Sequence, residues 1–537
     1  MNQRRIVSLL LAGAIGFWII LTGANLWLGD LNQDEGWYLY AAREVCDGRM
    51  PYRDFAFTQG PVLPYIYAAV WPLFSPLGVA GGRLFTALLG LAAAGVASFL
   101  AWKLSGPARG RVAALVTFIL IAVNVYHNYF TTVVKTYSLC GLLFAGGAAA
   151  LACAGGRHGR WWAVASGFLL VLASGVRISA FGAVVAAFIY YLFAAERKIF
   201  IWFTVAVIGA SCAVFLPFYA AAPDNFIFDM IKYHSGRDIG GILKQLVFKG
   251  GFVSRVVQGY FVAVMLLAAA ALYRGISGRS EEGPHATGER GRMAALWGAV
   301  AAVTLIHFIA PFPYDDYQVA VFPVFAALVA CHVIKICADD RVVSWALVSI
   351  FLASVAASFS SPINQEWAIK ERDRIWWRTK DRSPIGKLRD AAAIVREVAG
   401  TDMRILTQDA YLAVEAGMKV PNGLEMGPFS YYPSMSDEDA ERRRLLNRNL
   451  LRKMLKSADA PVAAFSGYGL AISSPGVTEL DAAEQRDLRA LVMQRYEPWE
   501  EIDHFGQNLT RLVILKRKTG ILADRQALPV HGEAQIK

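Results

Sequence analysis

Two adjacent carboxylates, Asp34 and Glu35, stand in Asn32-Gln-Asp-Glu-Gly-Trp-Tyr-Leu-Tyr, just after a long apolar run and at the head of a string of aromatic residues. A carboxylate shielded from water at a membrane surface can act as general base towards a hydroxyl. The same pair equally suits a solvated helix N-terminus, where the helix dipole favours acids. Arg177, in Ala173-Ser-Gly-Val-Arg-Ile-Ser, interrupts an apolar run. Charge inside hydrocarbon is costly, so such a residue is either functional or snorkels to the interface. Residues 222–256 gather Lys232, His234, Arg237, Lys244, Lys249 and Arg255, together with Asp224, Asp229 and Asp238. That is a cationic cluster or a solvated loop. Tyr314-Asp315-Asp316-Tyr follows a Pro-Phe-Pro turn. Its acids suit an acceptor sugar, a cation, or a plain polar turn.

The elements that must position these groups lie mostly in a membrane. Of 537 residues, 56% are hydrophobic and only 18% charged, with a mean hydropathy of +0.40. A soluble chain carries nearer a quarter charged. The charge is also uneven, with 43 of the 95 charged residues before residue 361 and 52 in the 177 that follow. A membrane part therefore precedes a water-facing part, 1–360 and 361–537. Apolar stretches of about 17–25 residues span the hydrocarbon. They are expected near 6–28, 81–104, 111–130, 133–155, 161–177, 179–195, 199–221, 257–275, 293–310, 318–337 and 342–360, about eleven crossings. The first, after Met1-Asn-Gln-Arg-Arg, is longer than a secretory signal core and reads as a retained anchor.

The net charge of +11 does not indicate nucleic acid, because no block of five Lys or Arg occurs. With the N-terminus cytoplasmic, one set of loops carries fifteen Lys and Arg against six acids, the other eleven against eleven. That asymmetry has the sign of the positive-inside rule. The expectation is a multi-pass protein of the inner (plasma) membrane, in which an odd number of crossings puts the C-terminal part in the periplasm and an even number would reverse that side. The six cysteines all precede residue 360 and show no zinc spacing. In the long outer loop 29–80, two aromatic-rich pieces read as helices lying along the interface. After residue 361 an α/β unit is expected, with strands at 404–408, 462–466 and 512–516, a helix over 409–417 and a charged helix over 436–457.

Three segments carry a resemblance to a known family: Asp34-Glu-Gly-Trp-Tyr-Leu-Tyr-Ala-Ala-Arg, Asp47-Gly-Arg-Met-Pro-Tyr-Arg-Asp-Phe and Phe57-Thr-Gln-Gly-Pro-Val-Leu-Pro-Tyr. They resemble the first outer loop of the GT-C glycosyltransferases, in particular the protein O-mannosyltransferase and aminoarabinose-transferase-like group. The resemblance covers the membrane part and is specific chiefly over residues 30–67. It implies a sugar on a polyprenyl phosphate as donor, an acid at Asp34 as base, inversion at the sugar, and a carbohydrate, lipid or protein acceptor. The leaving phosphate then needs cations or a metal. Candidates for that role are Arg177, Lys135, Lys232, Arg237, Lys244 and Lys249, with Glu35 beside the base and Gln59, Asp315 and Asp316 towards acceptor or cation. A divalent metal is the one candidate cofactor. His234 is a weak ligand for it, since one His needs partners.

Two places depart from the family pattern. Thr58-Gln-Gly-Pro stands where relatives often carry a charged residue or His before a Pro pair. Tyr126-His-Asn-Tyr-Phe-Thr-Thr-Val-Val-Lys135 lacks the acid that some relatives place in this loop; either Lys135 replaces it or the site works without a metal. A transporter or lipid-linked sugar flippase is the rival reading, with intramembrane charges lining a path. A non-catalytic scaffold for envelope assembly, using the C-terminal unit to bind partners, is the third.

Overall fold

The computed structural model describes residues 3–156, 158–194, 197–235, 240–277, 286–336, 340–365, 382–467, 470, 481–507 and 509–519. The first apolar run, at 1.5 Å per residue, is long enough to cross hydrocarbon about 30 Å thick, and it forms α1 (Gln3–Leu28). The outer loop that follows holds α2 (Gln33–Cys46) and α3 (Val62–Phe74). α4 (Val79–Ala122) would be about 66 Å long if straight, twice what a bilayer needs. It is not straight. Gly106, with φ 71° and ψ 179°, precedes Pro107 and breaks it. A Cβ at Gly110 would sit 2.7 Å from the Trp102 carbonyl, so the chain has reversed there into two legs. Next come α5 (Val125–Thr132) and α6 (Tyr137–Cys153), bent by 106° across residues 133–136. α7 (Gly159–Val176), α8 (Phe181–Ala194) and α9 (Arg197–Ala221) continue the bundle.

The second outer segment holds α10 (Pro223–Ile227), a π-helical turn (Phe228–Lys232) and α11 (Tyr233–Ser235). Beyond it, α12 (Ile242–Gly259) meets α13 (Phe261–Ser277) at 90°. α14 (Ala286–Ile309), a 3-10 turn (Asp315–Ala320), α15 (Phe322–Ile336), α16 (Asp340–Ser360) and α17 (Pro362–Gln365) complete the membrane part. Each expected span falls largely on helix. Six of the described helices are long and apolar enough to cross a membrane, eight if each bent pair is one span. The expected span 111–130 ends at Ala122, because α5 turns away. α8 and α15, with 14 and 15 residues, reach only about 21–23 Å. Close packing rests on small residues: Ala94, Ala97 and Ala101 of α4, Ala145 and Ala148 of α6, and Ala326, Ala327 and Ala330 of α15 are buried where these helices meet.

The C-terminal unit runs through α18 (Pro384–Ala399), β1 (Ile405–Thr407), α19 (Ala410–Ala416), α20 (Asp437–Arg442), α21 (Arg448–Ser457), β2 (Val462–Phe465), α22 (Ala482–Arg495), β3 (Tyr496–Phe505) and β4 (Thr510–Arg517). The sheet order is β1-β2-β4-β3, with β1 and β2 parallel and the other pairs antiparallel. The three expected strands and the helix ending at Gly417 are present. The single helix expected over 436–457 is two, because the chain breaks at Arg444 (φ 58°) to bridge Leu446 to Tyr431.

The C-terminal unit covers α2. The Gln33 N–H donates to Gln507 Oε1 at 2.8 Å. A Cβ at Gly36 would overlap the backbone nitrogen of Tyr411. The Arg43 guanidinium donates to the Met418 and Gly417 carbonyls at 2.6 and 3.0 Å, and Tyr40 Oη accepts from the Val420 N–H at 3.0 Å.

Candidate active site

The first turn of α2 is set by a capping box. Asn32 Oδ1 accepts from the Asp34 N–H at 3.0 Å, and Glu35 Oε1 accepts from the Asn32 N–H at 2.9 Å. Glu35 also receives both arms of Arg83, Nε to Oε2 at 2.7 Å and Nη2 to Oε1 at 2.6 Å, with both side chains fully buried. The same guanidinium donates to the carbonyls of Asn25, Gly29 and Asp30 at 3.1, 3.0 and 2.9 Å. These include orphan carbonyls at the end of α1. Glu35 and Arg83 thus pin α1, α2 and α4 together, and the Glu35 carboxylate is spent on that task. Arg83 was not anticipated. Its signal was the one that exposed Arg177, a cation inside an apolar run.

Asp34 points the other way, its side chain 25% exposed. Its Oδ1 accepts from Trp37 Nε1 at 3.2 Å, and its Oδ2 lies 3.2 Å from Lys135 Nζ. Lys135 comes from the bend between α5 and α6 and also reaches Asp316 Oδ2 at 3.1 Å. Tyr137 Oη donates to that same oxygen at 2.8 Å, while Asp316 Oδ1 is buried with no hydrogen-bond partner. Arg177 lies against the rings of Tyr317 and Tyr137, at 4.3 and 5.0 Å from their centroids. Its Nη1 donates to Thr136 Oγ1 at 2.9 Å. Its buried Nε has no partner, and no acid forms an ion pair with it among the described residues. Burial pushes the Tyr38 phenol well above its ordinary value, with Asp34, Tyr317 and Asp316 adding to the rise and Arg177 opposing it. All these groups therefore act on one small volume.

The neighbouring acids of the 314–317 turn are divided in the same way as those of α2. Asp315 accepts from Tyr126 Oη at 2.5 Å and Arg255 Nε at 2.6 Å, fastening α12 to the turn, while Asp316 faces Lys135. Other expected residues lie apart. Lys249 Nζ donates to the Phe308 carbonyl at 2.6 Å, at the end of α14. Lys232 and Lys244 are exposed, and no ion pair among the described residues joins them to Asp34 or Asp316. Arg237 lies outside the described residues. His234 Nε2 is 2.7 Å from the Thr58 carbonyl, and the Gln59 carbonyl accepts from Tyr52 Oη at 2.6 Å. That loop closes on the end of α7, where a Cβ at Gly60 would overlap the Gly175 carbonyl two residues from Arg177. Buried Asp229 holds the loop from below, accepting from the Phe57 N–H at 3.1 Å. Burial pushes its carboxyl up to about 7.

The residues do not fit a divalent ion. Among the described residues no group of three His, Cys, Asp or Glu gathers to hold one. Asp34 and Asp316 share one partner, and the Lys135 ammonium stands between them. His234 belongs to the 58–60 loop instead.

The architecture is a polytopic helical membrane fold with a small C-terminal sheet. Two solved structures share it over nearly their whole length. ArnT from Cupriavidus metallidurans bound to undecaprenyl phosphate aligns with a TM-score of 0.60 at 13% identity, over 95% of this chain and 97% of that one. The same protein in the apo state gives 0.58 at 14%, with the same coverage. The apo oligosaccharyltransferase of Archaeoglobus fulgidus aligns at 0.49 and 11% identity, over 95% of this chain and 75% of that chain. No protein-family model matches the sequence, and no curated protein matches it.

Proposed function

We propose that this chain is an integral-membrane glycosyltransferase, moving a sugar from a polyprenyl-phosphate donor to an acceptor hydroxyl with Asp34 as base. One observation carries the reading: a partly exposed carboxylate and a buried arginine without a carboxylate partner flank one site, within a fold shared end to end with a protein whose structure holds undecaprenyl phosphate. The acceptor oxygen attacks the anomeric carbon as its proton passes to Asp34. The bond from that carbon to the phosphate oxygen breaks, and its electron pair leaves on the polyprenyl phosphate. One displacement inverts the sugar. A carboxylate offers about four acceptor positions. The Trp37 indole and Lys135 take two of them at Asp34, which leaves room for the hydroxyl. Arg177, set over the rings of Tyr137 and Tyr317, receives the charge that develops on the phosphate. The charge asymmetry of the loops supports an extracytoplasmic site in the inner membrane, with the C-terminal unit on the same side.

The test is transfer by the reconstituted full chain with polyprenyl-phosphate sugars, wild type against Asp34→Asn. The variant is expected to lose at least about 100-fold in kcat while its melting temperature holds. Wild-type transfer rates from a folded Asp34→Asn would remove the base assignment. Passage of lipid-linked sugar across vesicles without transfer would favour the transporter reading.

A further inference from the structure

We infer that Lys135 occupies, as a fixed side-chain cation, the position a divalent metal ion would take between Asp34 and Asp316, so that the site works without a metal. This deepens the glycosyltransferase reading and rests on it for the catalytic part alone. The ammonium lies 3.2 Å from Asp34 Oδ2 and 3.1 Å from Asp316 Oδ2, and its side chain is 9% exposed. Phe130 and Tyr137 face the ammonium with their rings, at 5.2 and 5.6 Å. Both flanking residues are tied down. The Val134 N–H donates to Glu35 Oε2 at 3.4 Å, and Thr136 Oγ1 accepts from Arg177. The lysine is therefore held by the same contacts that fix the cap of α2 and the guanidinium of Arg177.

The charges agree with this assignment. Two carboxylates face one ammonium, and Arg177 supplies the second positive charge on the side where a phosphate would stand. A hard divalent cation seeks about six oxygen ligands. Here it would find two carboxylates, with an ammonium already between them. Removing the ammonium should turn the pair into a weak metal site, because two acids would then face each other across a cation-sized gap.

Three measurements on the detergent-purified full chain test the inference. Mn2+ binding is followed by electron paramagnetic resonance in wild type, Lys135→Met and Lys135→Gln, and sugar transfer is assayed with and without a chelator. Wild type should bind no Mn2+ that Asp316→Asn removes, and its transfer should be unchanged by chelation. Lys135→Met should lose about 100-fold in rate, in line with removal of one preorganised charge. It should also take up Mn2+ and recover at least tenfold with it. Chelation that stops the wild type overturns the inference, as does wild-type Mn2+ binding that depends on Asp34 or Asp316. Failure of both lysine variants to bind Mn2+ overturns it too. If no donor supports transfer, the functional reading fails while the resonance measurement still decides what occupies the gap.

Discussion

Neighbouring side chains leave an α-helix about 100° apart, and the first turn of α2 uses that angle to send Glu35 inward to Arg83 and Asp34 outward to Lys135. Substitutions at the two positions should therefore fail differently. Glu35→Gln strands a buried guanidinium, and breaking one side of a buried pair costs about 3–5 kcal/mol. It should lower the thermal midpoint strongly, whereas Asp34→Asn should leave the midpoint nearly in place and remove activity. Unfolding of the two variants in detergent checks this. At Arg177, lysine keeps the charge but loses the guanidinium that lies over the Tyr137 and Tyr317 rings and donates to Thr136. Arg177→Lys should raise the donor KM by about tenfold or more, read from steady-state kinetics, since each tenfold corresponds to about 1.4 kcal/mol. The sequence marked Asp34, Glu35 and Arg177 as unusual but could not divide their roles. Which of two adjacent acids meets a buried arginine depends on Arg83, 48 residues away, and only packing reveals it.

Elements carry these residues to one place by sharp bends rather than by long helices. The α5–α6 bend delivers Lys135, Thr136 and Tyr137, and the α12–α13 elbow brings Arg255 to Asp315. Apolar runs were legible because length and composition alone define a span, so the helices fell where hydropathy put them. The bends were not: Tyr126 to Tyr137, with His127, Asn128 and Lys135, is visibly more polar than its flanks, but composition does not give the angle at which α6 leaves α5. The break at Arg444 escaped for a related reason: Leu445 and Leu446 fit a helical stripe as well as the buried bridge to Tyr431 that they serve. β3 was missed because Tyr496–Phe505 shows no alternation and most of it is exposed. Contacts between elements are tight enough to test with one methyl. At Gly36 a Cβ would strike the Tyr411 backbone, which cannot swing aside as a side chain would. Overpacking of this kind typically costs about 1–3 kcal/mol. Gly36→Ala should therefore lower the thermal midpoint and lower activity with it.

The two parts of the molecule are joined by buried polar contacts as well as apolar ones. Arg49 pairs with Glu44 and with Glu425, the latter at 3.2 Å, so two buried carboxylates share one guanidinium. Burial pushes Glu425 up to about 7, against the pull of Arg49. An unfolded glutamate gives up its proton near 4.5. Between those values the folded state holds the extra proton, so this contribution to stability is present at low pH and is lost as pH rises through about 7. The wild-type midpoint should fall from pH 5 to pH 8 more steeply than that of Glu425→Gln; equal slopes would remove Glu425 from the account. The order of the chain adds a consequence in time. Gln33, one residue before Asp34, is capped by Gln507, which is 474 residues further along. A chain made from its N-terminus inserts its helices long before that glutamine exists. The helix bearing Asp34 is therefore completed only when the last pair of strands has formed, and a half-made chain carries the carboxylate without its finished cap.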